Sequence, residues 1–211
     1  MLNSIKITDI TKTKKGYNAL FYDNGFLFSV DDLMLIQEKI QIGSCFTQQE
    51  LTLLYQKSST NKAVQKAYNL LSYLSHSRKE LYDKLCRSFD SDCAEAACSK
   101  MEDIGMLNDE EFCKAKAEYL INVKKCSLGE TRLKLLTLGI NKDIIECCIE
   151  SCSEDTQMDN LLHLLQTKYC AKLDNPQKVI ASLMRKGFRY NEIRAALQTL
   201  DIETEDENQW L

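Results

Sequence analysis

A helix-start signal that returns at a nearly fixed interval constrains this chain most. Ser77-Arg78-Lys79-Glu80 and Ser127-Leu128-Gly129-Glu130 both have the S-x-x-E form, in which the hydroxyl and the carboxylate each satisfy a backbone amide left open where a helix begins. Asn175-Pro176 offers a third start, with Asn as the acceptor and Pro at the first helical position, which needs no donor. The three signals lie 50 and 48 residues apart. First-helix starts at Asn61, Asn108 and Asp155 are spaced by 47 and 47, and Gly-Ile and Gly-Phe turns at 139 and 187 add a third landmark. A period of this length is the signature of stacked modules, each too small to bury a core alone.

Between the landmarks the apolar residues follow the helical period. In the first unit Ala67, Leu70, Leu71 and Leu74 form one stripe, Leu81 and Leu85 a second, and Ala94, Ala97, Met101 and Ile104 a third, closed by Gly105. The second unit carries Phe112, Ala115, Tyr119 and Leu120, then Leu133 and Leu136, then Ile144, Ile145, Cys148 and Ile149. In the third the stripes are Leu161, Leu162, Leu165 and Tyr169, then Val179, Ile180 and Leu183, then Ile193, Ala196, Leu197 and Leu200.

Residues 1–60 read differently. Asn18 to Tyr22 and Phe26 to Val30 are aromatic and β-branched runs flanking Asp23-Asn24-Gly25, and Ile5 to Ile10 alternates, which predicts a small antiparallel sheet. Asp31-Asp32 caps a short helix, Thr47 with Glu50 makes a further capping box opening Leu51 to Gln56, and Ser58-Ser59-Thr60-Asn61 marks a boundary. The expected fold is mainly α, with three tandem three-helix repeats forming an elongated curved body behind the β-hairpin extension. The expected segments are 1–60, repeats at 61–107, 108–154 and 155–203, and an acidic tail at 204–211.

Composition removes several classes of function. No apolar run reaches the roughly 18 residues of a membrane span, and the first residues lack a signal-peptide core, so a cytoplasmic location is expected. The ten cysteines include no C-x-x-C pair, and His76 and His163 stand at no ligand spacing to them, so neither a metal nor another cofactor is expected. Most of these cysteines fill apolar slots in helices, and His76, beside its capping box, is expected as a surface or cap residue rather than a base. There is no G-x-S-x-G elbow, phosphate loop, dinucleotide fingerprint or H-E-x-x-H, and no catalytic residue is assigned. The net charge of −4 is that of a chain without a general affinity for nucleic acid.

What remains is charge on a repeated scaffold. Arg78, Lys79, Lys84 and Arg87 fall in the second helix of the first unit, Arg132 and Lys134 in that of the second, and Lys178, Arg185 and Lys186 in that of the third, with Arg189 just beyond. Equivalent helices of stacked units share a face, so these residues are expected to form a basic stripe suited to an acidic partner or a phosphate backbone. The competing reading pairs them with Glu80, Asp83 and Glu130 on their own helices.

The run from Ala67 to Leu74, the following Leu74-Ser75-His76-Ser77-Arg78-Lys79-Glu80-Leu81, the segment Gly105 to Asp109 with Phe112, and the Gly-Ile and Gly-Phe turns together resemble the RecX family, bacterial regulators of the RecA recombinase. The likeness covers nearly the whole chain, including the Phe26, Phe28 and Val30 hairpin seen in members from Gram-positive relatives. It implies a monomeric, non-enzymatic modulator that lies in the groove of the RecA–DNA filament and most often inhibits ATP hydrolysis, strand exchange and co-protease activity. DNA phosphate within the filament is a second expected contact. Two other readings are a helix-turn-helix-like DNA-binding repeat protein and a general helical-repeat scaffold.

Overall fold

A computed structural model describes residues 4–23, 25–150 and 154–200. It is mostly helical, with small antiparallel sheets at its N-terminal end, and the chain falls into two compact units. The first unit takes residues 1–74 and 81–106, and the second takes 75–80 and 107–211.

In the first unit, β2 (Asp9–Lys12), β3 (Asn18–Tyr22) and β4 (Gly25–Val30) form a three-stranded antiparallel meander, with a register shift between Ala19 and Phe21. The stretch expected as one strand from Ile5 to Ile10 divides instead. β1 (Ser4–Lys6) turns away to pair with β5 (Cys45–Thr47), a strand not foreseen from sequence. Ile7, at the break, is fully buried with Leu20, Phe28, Val30 and Met34. Met34 is the buried residue of α1 (Asp32–Gln37), whose start is capped by the Asp31 carboxylate 2.7 Å from the Met34 amide.

The expected break at Ser58-Ser59-Thr60-Asn61 is helix. From the Thr47–Glu50 capping box, α2 runs without interruption from Gln48 to Tyr73, so no helix starts at Asn61. These polar residues serve the helix's packing on the sheet. The buried Ser58 hydroxyl donates to the Ser29 carbonyl at 2.6 Å, Lys62 Nζ to Ser29 Oγ at 3.0 Å, and Asn61 Nδ2 to Asp31 Oδ2 at 3.0 Å. Further along, the small Ala63 and Ala67 line the buried face of α2, and α4 (Ser91–Asp103), which packs on that helix, is lined by Ala94 and Ala97. Leu74, expected in the buried stripe, is exposed beyond the helix end, as is Ile104. Leu81 and Leu85 of α3 (Arg78–Cys86) are buried as their spacing predicts.

In the second unit, α5 (Asp109–Glu118) widens into a π turn at Tyr119–Val123, which leads to α6 (Leu128–Thr137) and α7 (Lys142–Glu150). Here the sequence stripe is displaced. Cys113 and Ala117 face inward while Ala115 is exposed, and the π turn then sends Leu120 and Ile121 inward and Tyr119 out. On α6 the inward residues are Thr131 and Leu135, whereas Leu133 and Leu136 are exposed. In the third repeat, α8 (Glu154–Thr167), α9 (Pro176–Arg185) and α10 (Tyr190–Thr199) enclose Leu161, Leu165, Val179, Leu183, Ile193 and Leu197, in the stripes their spacing predicts.

Candidate interaction surface

The Ser77–Glu80 box forms in full, Ser127 caps its helix while the Glu130 carboxylate turns to Lys134 and Lys186, and each serine does more than cap its own helix. The Ser77 hydroxyl accepts from the Glu80 amide at 3.2 Å, and the Ser127 hydroxyl from the Glu130 amide at 2.9 Å. Each hydroxyl also donates far along the chain, Ser77 to the Leu138 carbonyl at 2.6 Å across 61 residues and Ser127 to the Lys186 carbonyl at 2.5 Å across 59. Leu138 and Lys186 are the C-caps of α6 and α9, where helix carbonyls lack intrahelical partners. The capping serine of one repeat therefore also closes the second helix of the next.

The first amide of each second helix is served from the next repeat as well. Arg78 N–H donates to Asp109 Oδ1 at 2.8 Å across 31 residues, and Leu128 N–H to Gln157 Oε1 at 3.0 Å across 29. Gly139 and Gly187 complete the two joints in left-handed conformation, at φ 80 and 85. A Cβ on Gly139 would meet the Lys79 side chain at 2.4 Å, and one on Gly187 would meet Ser127 Oγ at 2.9 Å and the Glu130 amide at 3.0 Å. The joints are equivalent, with Lys79 lying over Gly139 where Gly129 lies over Gly187.

This joint accounts for residues that sequence alone assigned elsewhere. His76 is buried with 6% of its surface exposed and its Nδ1 3.9 Å from the Glu80 carboxylate, beside the cap rather than at the surface. Burial follows from its place beside Ser77, itself fully buried. Arg78 gives its amide to Asp109 and is half-buried, and the Lys79 stem is packed over Gly139.

The expected basic residues separate into paired and open groups. Arg132 holds Glu146 through two hydrogen bonds of 2.7 Å, and Lys134 Nζ lies 2.8 Å from Glu130 Oε1 and 3.3 Å from Cys126 Sγ. The Arg132 hydrogen bonds hold the Glu146 carboxyl below its ordinary range. Burial pushes the Glu130 carboxyl up, but Lys134 and Lys186 together outweigh it and leave the group lowered. Lys186 Nζ is 3.9 Å from the same Glu130 carboxylate. The central part of the expected stripe is therefore bound within the fold: Lys134 takes Glu130 on its own helix, as the competing reading has it, whereas Arg132 and Lys186 reach carboxylates of other helices. Lys84 is engaged in the first unit, where Arg87 is exposed. Arg189 is exposed, and its amide is held by Glu192 at 2.9 Å.

Lys178 and Arg185 are different. Both are exposed on α9, and neither meets a carboxylate among the described residues. With Lys172 they line a cleft of about 450 Å³ beside Tyr169 and Ser182, whose hydroxyls lie 2.9 Å apart, against a single acid, Asp174. The cleft lies on the face of α9 that begins at Asn175, where Asn175 Oδ1 accepts from the Lys178 amide at 3.2 Å. Sequence reasoning singled out Lys178 and Arg185 but missed Lys172, which the short 3-10 turn at Cys170–Lys172 brings beside them.

Among the described residues, no group of three or more His, Cys, Asp or Glu is placed to hold a metal, and no helix is long and apolar enough to cross a membrane. Cys152 and the residues from Asp201 onward lie outside the described residues. The buried Cys113 thiol is pushed up to about 12 by burial and by its hydrogen bond with Cys148, the behaviour of a core filler.

Repeats interlocked through capping serines define this chain as a helical-repeat protein. Residues 63–101 match the family model described as "RecX, first three-helix domain". The chain is 25% identical to Regulatory protein RecX of Clostridioides difficile strain 630 over 201 residues, covering 92% of this chain and 95% of that one. It is 28% identical to Regulatory protein RecX of Listeria monocytogenes serotype 4a strain HCC23 over 214 residues, covering 96% and 79%. A crystal structure of regulatory protein RecX superposes with a TM-score of 0.71 at 20% identity, over 94% of this chain and all 100% of that one. RecX from Lactobacillus salivarius gives a TM-score of 0.60 at 26% identity, over 69% and 98%. Along nearly its whole length the chain is similar to regulatory proteins of the RecX family.

Proposed function

We propose that this chain is a non-enzymatic cytoplasmic regulator that binds the RecA recombinase filament in its helical groove as a monomer and inhibits its ATPase, strand-exchange and co-protease activities. The observation that carries the reading is the pair Lys178 and Arg185, exposed cations lining one cleft, whereas Arg132 and Lys134 of the expected stripe are bound to Glu146 and Glu130. An acidic filament surface, or DNA phosphate within the groove, is the complementary chemistry. Duplex reading by a recognition helix has less support. The third helix of the first repeat, α4, buries Cys93, Ala94, Ala97, Cys98 and Met101 and leaves Asp92, Glu95, Glu102 and Asp103 exposed against Lys100, a mainly acidic face for a groove.

The test is DNA-dependent ATP hydrolysis by the cognate recombinase, titrated with this chain and with its K178E/R185E variant. Inhibition by the parent chain, weakened about tenfold or more in the folded variant, is the expected outcome, since two reversed contacts remove at least about 1.4 kcal/mol of binding. Equal inhibition by both proteins excludes these residues from the contact. Inertness of both excludes the function.

A further inference from the structure

On α3 and α6 the helix start is covered by a side-chain acceptor 31 and 29 residues downstream of the amide it serves, Asp109 and Gln157. The corresponding start on α9 is Asn175-Pro176, which has no such amide at its first position. It is exposed or half-buried where Ser77 and Ser127 are buried, and the cleft of about 450 Å³ opens beside it.

We propose that the acidic segment of this chain, residues 201–211, docks on the cleft beside the start of α9. Two features point to this occupant. The cleft offers Lys172, Lys178 and Arg185 against Asp174 alone, and the segment offers Asp201, Glu203, Glu205, Asp206 and Glu207 with no basic residue. Reach is sufficient. Leu200, the last described residue, packs on the same small core as Tyr169 and Leu173, and seven extended residues span about 24 Å against about 15 Å for the whole of α9. Carboxylates there also meet the positive end of the α9 dipole. This inference goes beyond the recombinase reading and does not depend on it.

The chain carries its own probe, because its one tryptophan is Trp210. Selective excitation of Trp210 in the full-length protein, with quenching by neutral acrylamide, reports whether the segment is covered. At low salt a blue-shifted emission is expected, with quenching about twofold weaker than in 0.5 M NaCl, where screening shortens the range of exposed ion pairs. K178E/R185E should match the high-salt value without added salt. Adding E205K/E207K to that variant should restore the shielding, which separates lost docking from lost folding, and far-UV circular dichroism of each variant checks that the helices persist. Trp210 quenched equally in the parent, in high salt and in K178E/R185E overturns the proposal, whether the residue is freely exposed or shielded throughout. Shielding that rises with chain concentration also overturns it, by assigning the segment to a second copy.

Discussion

At the scale of single residues, Ser77 and Ser127 do two jobs with one hydroxyl each. As acceptor the oxygen caps its own helix, and as donor its proton goes to a C-cap carbonyl about sixty residues away. Replacing either by Ala removes the cap, worth about 1 kcal/mol, and leaves a carbonyl unpaired for about another 1 kcal/mol. Ser127→Ala and Ser77→Ala should each lower stability by about 2 kcal/mol in urea denaturation followed by circular dichroism. A loss near 1 kcal/mol would mean that the long-range bond adds nothing. Glu130 and Glu146 supply a pH signature. Both carboxyls are lowered in the folded state, so their stabilisation is complete above the ordinary carboxylate range and disappears as pH falls through their folded values. Urea midpoints should therefore fall between pH 5 and pH 3 by less in E130Q and E146Q than in the parent. Parallel curves for all three proteins would contradict this assignment.

Among the elements, α2 departs furthest from what its sequence suggests. Ser58-Ser59-Thr60-Asn61 has the composition of a linker, yet its side chains reach the sheet and the helix continues through them. Asn61→Pro should cost about 3 kcal/mol, the penalty of a helix interior, whereas in a linker it would be nearly neutral. Thermal unfolding of that variant decides between the two. Caps, turns and the three stripes of the last repeat were legible because they depend on local spacing, and so were the β3–β4 hairpin and the buried Leu81 and Leu85. The inward faces of α5 and α6 were not. There Cys113, Ala117 and Thr131 are buried while Leu133 and Leu136 are left outside, and a π turn shifts the register, so the size of the apolar residue misled where packing chose the smaller one. Of the surface, the charges were legible and their partners were not. Glu146 lies fourteen residues from Arg132, at a distance no helical rule anticipates.

On the scale of the whole molecule, the joints make neighbouring repeats dependent on one another. The second repeat draws a cap for Leu128 from Gln157, a partner for Ser127 from Lys186, and a counter-charge for Glu130 from the same lysine. A chain ended after Glu150 should lose hydrogen-exchange protection in α6, although none of its own residues has changed. Protection equal to that of the intact protein would show that the repeats are stable independently. The third repeat departs from this pattern. At its second helix the chain has Pro176, which lacks the very proton that Arg78 and Leu128 hand to the module after them. A single missing hydrogen thus sets this helix start apart from the two that are joined to a neighbour.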